Sequence, residues 1–250
     1  MDSAWIERGR GGPTLSAALR AFRAALLAIT ASVPGTSCFP ARPSVLPPPP
    51  LIESMGGYVS FRFSSGGTVA RSRFSFIYTQ QRLGRLEILD ALGRSAALIL
   101  IESDRAWCAL PAEKVYWQGE WMKVSEKFLG SPLSPAEVMA LLSGLWSSSQ
   151  GIFQTLGAAP GWTLHRDDRN LVSGGEKGDF AFSVKEFFAG GPVPRRVEFT
   201  HPAGHGRLTT LGLEFNKLAG KDAFRASFLE DVRYRSITWE ELEGLWKNES

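Results

Sequence analysis

Residues 57–78 read GYVSFRFSSGGTVARSRFSFIY, and their alternation decides the fold class. Val59, Phe61 and Phe63 fall on one side of an extended chain, with Ser60, Arg62 and Ser64 on the other. Phe74, Phe76 and Tyr78 repeat the pattern after Arg71 and Arg73, and Ser65-Gly66-Gly67 separates the two runs. Apolar residues at every second position, bounded by a glycine turn, describe antiparallel strands with one buried face. Working outward, Leu86 and Ile88 flank Glu87 in a third run, after a turn at Leu83-Gly84. Residues 96–101 (AALILI) are apolar throughout, which fits a strand covered on both sides. Residues 105–110 and 114–118 extend the meander. Further strands are expected at 161–165, 180–184, 195–200, 206–215 and 224–234.

Helices interrupt this pattern. Ser134-Pro135-Ala136-Glu137 sets an N-cap serine, a first-turn proline and a capping-box glutamate in register. Val138, Leu141, Leu142 and Leu145 then follow at helical spacing. Thr238-Trp239-Glu240-Glu241 forms a second capping box before Leu242, Leu245 and Trp246. The expected architecture is mainly β: a long antiparallel sheet, curled enough to need something inside it, with a few short helices. Phe61, Phe63, Phe74, Phe76, Trp117, Trp121, Trp146 and Trp162 supply more aromatic surface than one flat core needs. Such a sheet either packs solid with side chains or encloses a ligand cavity, and alternation alone leaves both open.

The first fifty residues speak to location. Arg20 and Arg23 precede an apolar run from Ala24 to Val33, then Pro34-Gly35-Thr36-Ser37 and Cys38. Positive charge, a short apolar core and small residues make a secretory signal. Ten residues as helix cover roughly 15 Å, half of a ~30 Å hydrocarbon core, so the run is too short to span. A cysteine directly after the small residues is where bacterial lipoproteins are cut and acylated. Pro47-Pro48-Pro49-Pro50 then favours an extended, semi-rigid tether. The expected organisation is a signal over 1–37, a tether over 38–56 and one domain over 57–250.

Charge and chemistry narrow the function classes. The chain holds 28 basic and 25 acidic residues, but positions 51–250 hold 23 of each. A neutral domain gives no electrostatic case for nucleic acid. Cys108, in Arg105-Ala106-Trp107-Cys108, reads as a small buried residue if Cys38 is acylated. No G-x-S-x-G elbow and no phosphate-binding glycine loop occurs. His201-Pro202-Ala203-Gly204-His205 reads as a hairpin turn, and His165-Arg166-Asp167-Asp168-Arg169-Asn170 as a solvated turn between strands. The expectation is a binding protein, not an enzyme, with no metal and no cofactor.

Three landmarks carry a family resemblance. Residues 85–98 (RLEILDALGRSAAL) resemble the strand–loop–strand of the LolB family of outer-membrane lipoprotein receptors, with Ala91 where that family usually has proline. Phe128-Leu129-Gly130-Ser131-Pro132-Leu133 and the capped helix ending at Gly144 are the second, and Val193-Pro194-Arg195-Arg196-Val197-Glu198-Phe199 the third. The resemblance spans 57 to about 215; the helix after Thr238 has no counterpart in it. It implies an incomplete antiparallel barrel closed by short helices over an apolar cavity that accepts acyl chains. Phe61, Phe63, Phe74, Phe76, Leu86 and Ile88 are then the cavity-lining residues, Cys38 the lipid-attachment site and Leu92 the apolar tip of a membrane-insertion loop. The implied partners are acyl chains of lipoproteins or other lipids, a periplasmic lipoprotein carrier and the outer membrane. Phe39, in place of an inner-membrane-retaining aspartate, points to outer-membrane sorting with the domain facing the periplasm. A binding module for another amphiphile, such as a glycolipid or polysaccharide precursor, and a structural envelope lipoprotein with no ligand are the alternatives.

Overall fold

The computed structural model describes residues 45–90, 92–146, 161–220, 223–226, 229 and 234–248. Six strands run in succession: β1 (Ser54–Ser65), β2 (Thr68–Thr79), β3 (Leu83–Leu89), β4 (Ser95–Glu102), β5 (Arg105–Leu110) and β6 (Val115–Glu120). Two helices follow, α1 (Trp121–Leu129) and α2 (Pro135–Ser143). The chain then returns as β7 (Thr163–Arg166), β8 (Val172–Lys177), β9 (Phe180–Phe187), β10 (Pro194–His201) and β11 (Gly204–Phe215). A two-residue β12 (Arg235–Ser236) and helix α3 (Trp239–Asn248) end it. All lie in one sheet of order β12-β6-β5-β4-β3-β2-β1-β11-β10-β9-β8-β7. The edges β12 and β7 do not pair, so the barrel stays incomplete. Every contact is antiparallel except β12 on β6.

Alternation in the first two strands sorts the faces as the sequence requires. Val59, Phe61 and Phe76 are buried on the inner face, while Arg62, Arg71 and Arg73 are exposed on the outer one. An aromatic file crosses the middle of the sheet: Phe61 stacks on Phe63 at 6.4 Å and on Phe199 at 6.3 Å, and Phe199 on Phe180 at 5.5 Å. Gly206 makes this possible, because a Cβ there would lie 2.1 Å from the Phe199 ring. The β1–β11 register slips between Tyr58 and Val59, leaving Leu211 as an extra residue. Such a bulge bends and twists the strands it interrupts, which helps curl a sheet this wide.

The helices cover the inner face, with Trp121, Val124, Leu129, Val138, Leu141, Leu142 and Leu242 in the same core as the strand residues. β4 is covered on both sides. Its inner residues Ala97, Ile99 and Ile101 join the main core, and Leu98 and Leu100 pack outward with Ala109 and Leu229. Residues 43–250 form one compact unit that contains every residue of both cores, so it has what a domain needs to fold alone.

Three expectations change. The folded unit starts before residue 57: Ile52 is buried, and Asn216 and Lys217 hold Glu53 and Ser54 through hydrogen bonds of 2.8 and 2.7 Å. The strand expected over 224–234 is absent among its described residues; they form turns whose Ala226, Leu229 and Tyr234 cover the outer face of β4–β6. Apolar character there served as a cover for the sheet, not as a ladder within it. Helix α1, unexpected from sequence, occupies 121–129.

Candidate functional site

A groove of about 1120 Å³ runs between the inner face of β1–β4 and the helices. Phe61, Phe63, Ile88 and Ala97 line it from the sheet, Phe128 from α1 and Trp246 from α3. Arg71, Asp90, Arg94, Lys127 and Glu243 line it as well, so its charge is at the rim. A narrower cleft of about 60 Å³ shares Phe61, Ser72, Ile88 and Phe128 with the groove and continues it inward. Phe74, Leu86 and Ile99 line that cleft from the strands, and Val124, Val138 and Leu142 from α1 and α2. No charged residue lines it. A wet, charged mouth leading into an apolar slot suits a ligand with a polar end and a hydrocarbon end.

The six residues expected to line a cavity divide accordingly. Phe61 and Ile88 line both spaces, Phe63 the groove, and Phe74 and Leu86 the cleft. Phe76 lines neither; it is 4% exposed, one inward-facing step further from the β1–β2 turn than Phe74, and belongs to the packed core. The wall supplied by Trp121, Val124 and Phe128 was missed. Their spacing of three and four is an amphipathic signal, but Glu120 makes no side-chain cap and the first turn carries no acid, so no start signal accompanies it.

Leu92 lies in the β3–β4 turn and is 77% exposed. Asp90 builds the turn: its carboxylate accepts the backbone N–H of Leu92 at 2.8 Å and of Arg94 at 2.9 Å, and Arg94 Nε at 2.7 Å. The backbone and guanidinium hydrogen bonds from Arg94 hold the Asp90 carboxyl below the usual aspartate range. Gly93, at φ +78°, closes the turn by donating to the Asp90 carbonyl at 3.0 Å. Because Asp90 and Arg94 also line the groove, the exposed leucine sits beside its mouth.

The capping glutamate of α2 does more than its motif promised. Glu137 Oε2 accepts the Ser134 N–H at 2.7 Å, and Oε1 accepts Trp162 Nε1 and Lys177 Nζ, each at 2.6 Å. Burial pushes this carboxyl up, but the hydrogen bonds from Lys177, Ser134 and Trp162 outweigh it and leave the group below its ordinary range. Trp162 in turn meets Trp146 at 4.8 Å, and Trp146 stacks on Phe182 at 5.2 Å. One carboxylate thus ties α2, which helps line the cleft, to the β7–β8 arm of the sheet.

Cys108 is fully buried, and desolvation pushes its thiol well above the usual range. His201 and Gly204 flank a tight turn, where His201 Nδ1 accepts the Ala203 N–H at 3.2 Å. Among the described residues no group of three His, Cys, Asp or Glu could hold a metal ion. No described helix is long and apolar enough to cross a membrane. Cys38, the signal and the tether up to residue 44 lie outside the described residues.

No protein-family profile matches the chain, and no curated protein matches it. Solved structures of similar shape include a DUF1329 family protein from Desulfovibrio piger, with a TM-score of 0.49 over 71% of this chain and 92% of that one. A LolA superfamily protein from Nitrosomonas europaea has a TM-score of 0.42 over 70% of this chain and 91% of its own. An outer membrane lipoprotein-sorting protein domain from Vibrio parahaemolyticus has a TM-score of 0.43 over 71% of this chain and 92% of its own. Each is 11% identical to this sequence.

Proposed function

We propose that this chain is a lipid-anchored protein of the bacterial outer membrane that holds acyl chains of lipidated cargo in its groove and helps pass them into the bilayer. It works by binding, without a reaction of its own. The observation that carries this reading is the uncharged cleft between Phe61, Phe74, Leu86 and Ile88 and the helices, opening into a larger groove with a charged rim. Each methylene removed from water gains about 0.8 kcal/mol, so ten give about 8 kcal/mol, and ordering costs leave a complex weaker than micromolar. That strength permits both capture and release. Acylated Cys38 would be the anchor, and Leu92 the point at which cargo chains meet the membrane. A soluble carrier in the periplasm would supply the cargo.

The test uses purified residues 43–250 and a fluorescent fatty acid. Saturable uptake is expected, and Ile88→Asp should weaken it at least tenfold, as ~1.4 kcal/mol per tenfold implies for a charge set at the cleft. Mass spectrometry of lipid carried through purification separates lipoprotein cargo from a glycolipid by head group. Absence of uptake in the parent domain overturns the reading.

A further inference from the structure

The outer face of the sheet carries a row of charge of which the groove shares only Arg71. Register sets Arg71 directly across from Arg62, and Arg62 directly across from Arg207. Arg73 stands two residues along β2 on the same face, across from Ser60. Like charges at opposed positions of an antiparallel pair destabilise it. Only the far end of the row is compensated: Glu198 lies across from Arg207 and pairs with it at 2.8 Å. Among the described residues, Arg62, Arg71 and Arg73 make no ion pair, and all three are exposed. A depression of about 350 Å³ lies over the Arg62–Arg207 end of the row, where Ser64, Thr200, His205 and the paired Glu198 join the two arginines. Guanidinium groups bind phosphate oxygens through paired N–H donors, and hydroxyls add further ones. The missing countercharge is what a phosphate-bearing surface would provide.

Apolar groups mark the same corner. Leu89 lies across from Arg73, so the loop carrying Leu92 leaves the sheet level with Arg71–Arg73. Val69, 42% exposed, stands two residues from Arg71 on the outer face, and Arg71 also lines the groove. Exposed apolar tips beside unpaired cations suit the boundary layer of a membrane better than a soluble anion, which has no place for Leu92 or Val69.

We propose that the outer-face row Arg62, Arg71, Arg73 and Arg207 docks on the phosphates of anionic lipid head groups and holds the groove mouth against the bilayer. This goes beyond the groove reading and stands whether or not the groove takes acyl chains. The test is co-sedimentation of residues 43–250, which lack the anchor, with vesicles of phosphatidylcholine alone or mixed with phosphatidylglycerol. The domain should partition onto the mixed vesicles only, and high salt should release it. Arg62→Gln/Arg73→Gln should lower partitioning about 25-fold, at roughly fivefold per cation near an anionic surface. Its melting temperature should stay or rise, since opposed like charges are removed. Its fatty-acid uptake should match the parent's, and a loss of uptake in both proteins would refute the groove reading alone. Equal partitioning of the parent on both vesicles, parental partitioning by the double variant, or its destabilisation overturns the docking proposal. So does glycerol phosphate binding as tightly as the vesicles, which would make the partner a soluble anion.

Discussion

Replacing Glu137 by glutamine tests whether one carboxylate holds the helical cover to the sheet. The side chain keeps its shape but loses its charge. Its single carbonyl oxygen can serve either the Ser134 N–H or the pair Trp162 Nε1 and Lys177 Nζ, and its new amide hydrogens then face a donor. A buried donor left unpaired costs about 1–3 kcal/mol, and loss of the charge assistance from Lys177 adds to it. The expected destabilisation is therefore about 2–4 kcal/mol. For a domain of this length each kcal/mol lowers the melting temperature by roughly 2–4 °C, giving a fall of about 4–16 °C by thermal denaturation. pH supplies a second check. The Glu137 carboxyl is depressed in the fold, so its contribution is complete above the unfolded glutamate value and fades as pH falls through the folded one. The gap between parent and variant should narrow as pH falls below the ordinary glutamate range. A variant within about 1 kcal/mol of the parent, or a gap that ignores pH, would refute the clamp.

Three other outcomes follow from the same geometry. Leu92→Asp should leave melting and fatty-acid uptake unchanged, because the side chain packs against little, while transfer of lipidated cargo into liposomes slows about tenfold; equal transfer rates would remove the insertion role. Cys38→Ala should release a folded domain into the periplasmic fraction, and continued membrane retention would show another anchor. Cys108 should resist thiol reagents at pH ~8 until the protein unfolds, and labelling of the native state would contradict its burial.

Local signals were readable and distant ones were not. Period two in Val59–Phe63 and Phe74–Tyr78 gave both strands and their inner faces, because one side of the sheet is covered and the other meets water. The unbroken run at 96–101 announced double cover, since neither face of β4 needs polar residues. Ser134 and Glu137 announced α2, and both sides of the capping box form. The partners of Glu137 across the molecule had no such signature: Trp162 and Lys177 lie 25 and 40 residues away. The apolar residues of 224–234 carried no period that distinguishes a strand from a cover. For the groove, the sheet side was legible from alternation, whereas the helical side depended on how α1 and α3 fold back.

The double cover of β4 bears on how a force would travel. The turn that carries Leu92 springs from β3 and β4, and β4 is clasped between the main core and the outer patch around Leu229. A strand gripped on one face can flex away from its support; one gripped on both cannot. Pressure on the leucine would thus pass through its Asp90-held turn and down a stiff stem into the body of the domain. The leucine is the tip of a lever whose root does not bend.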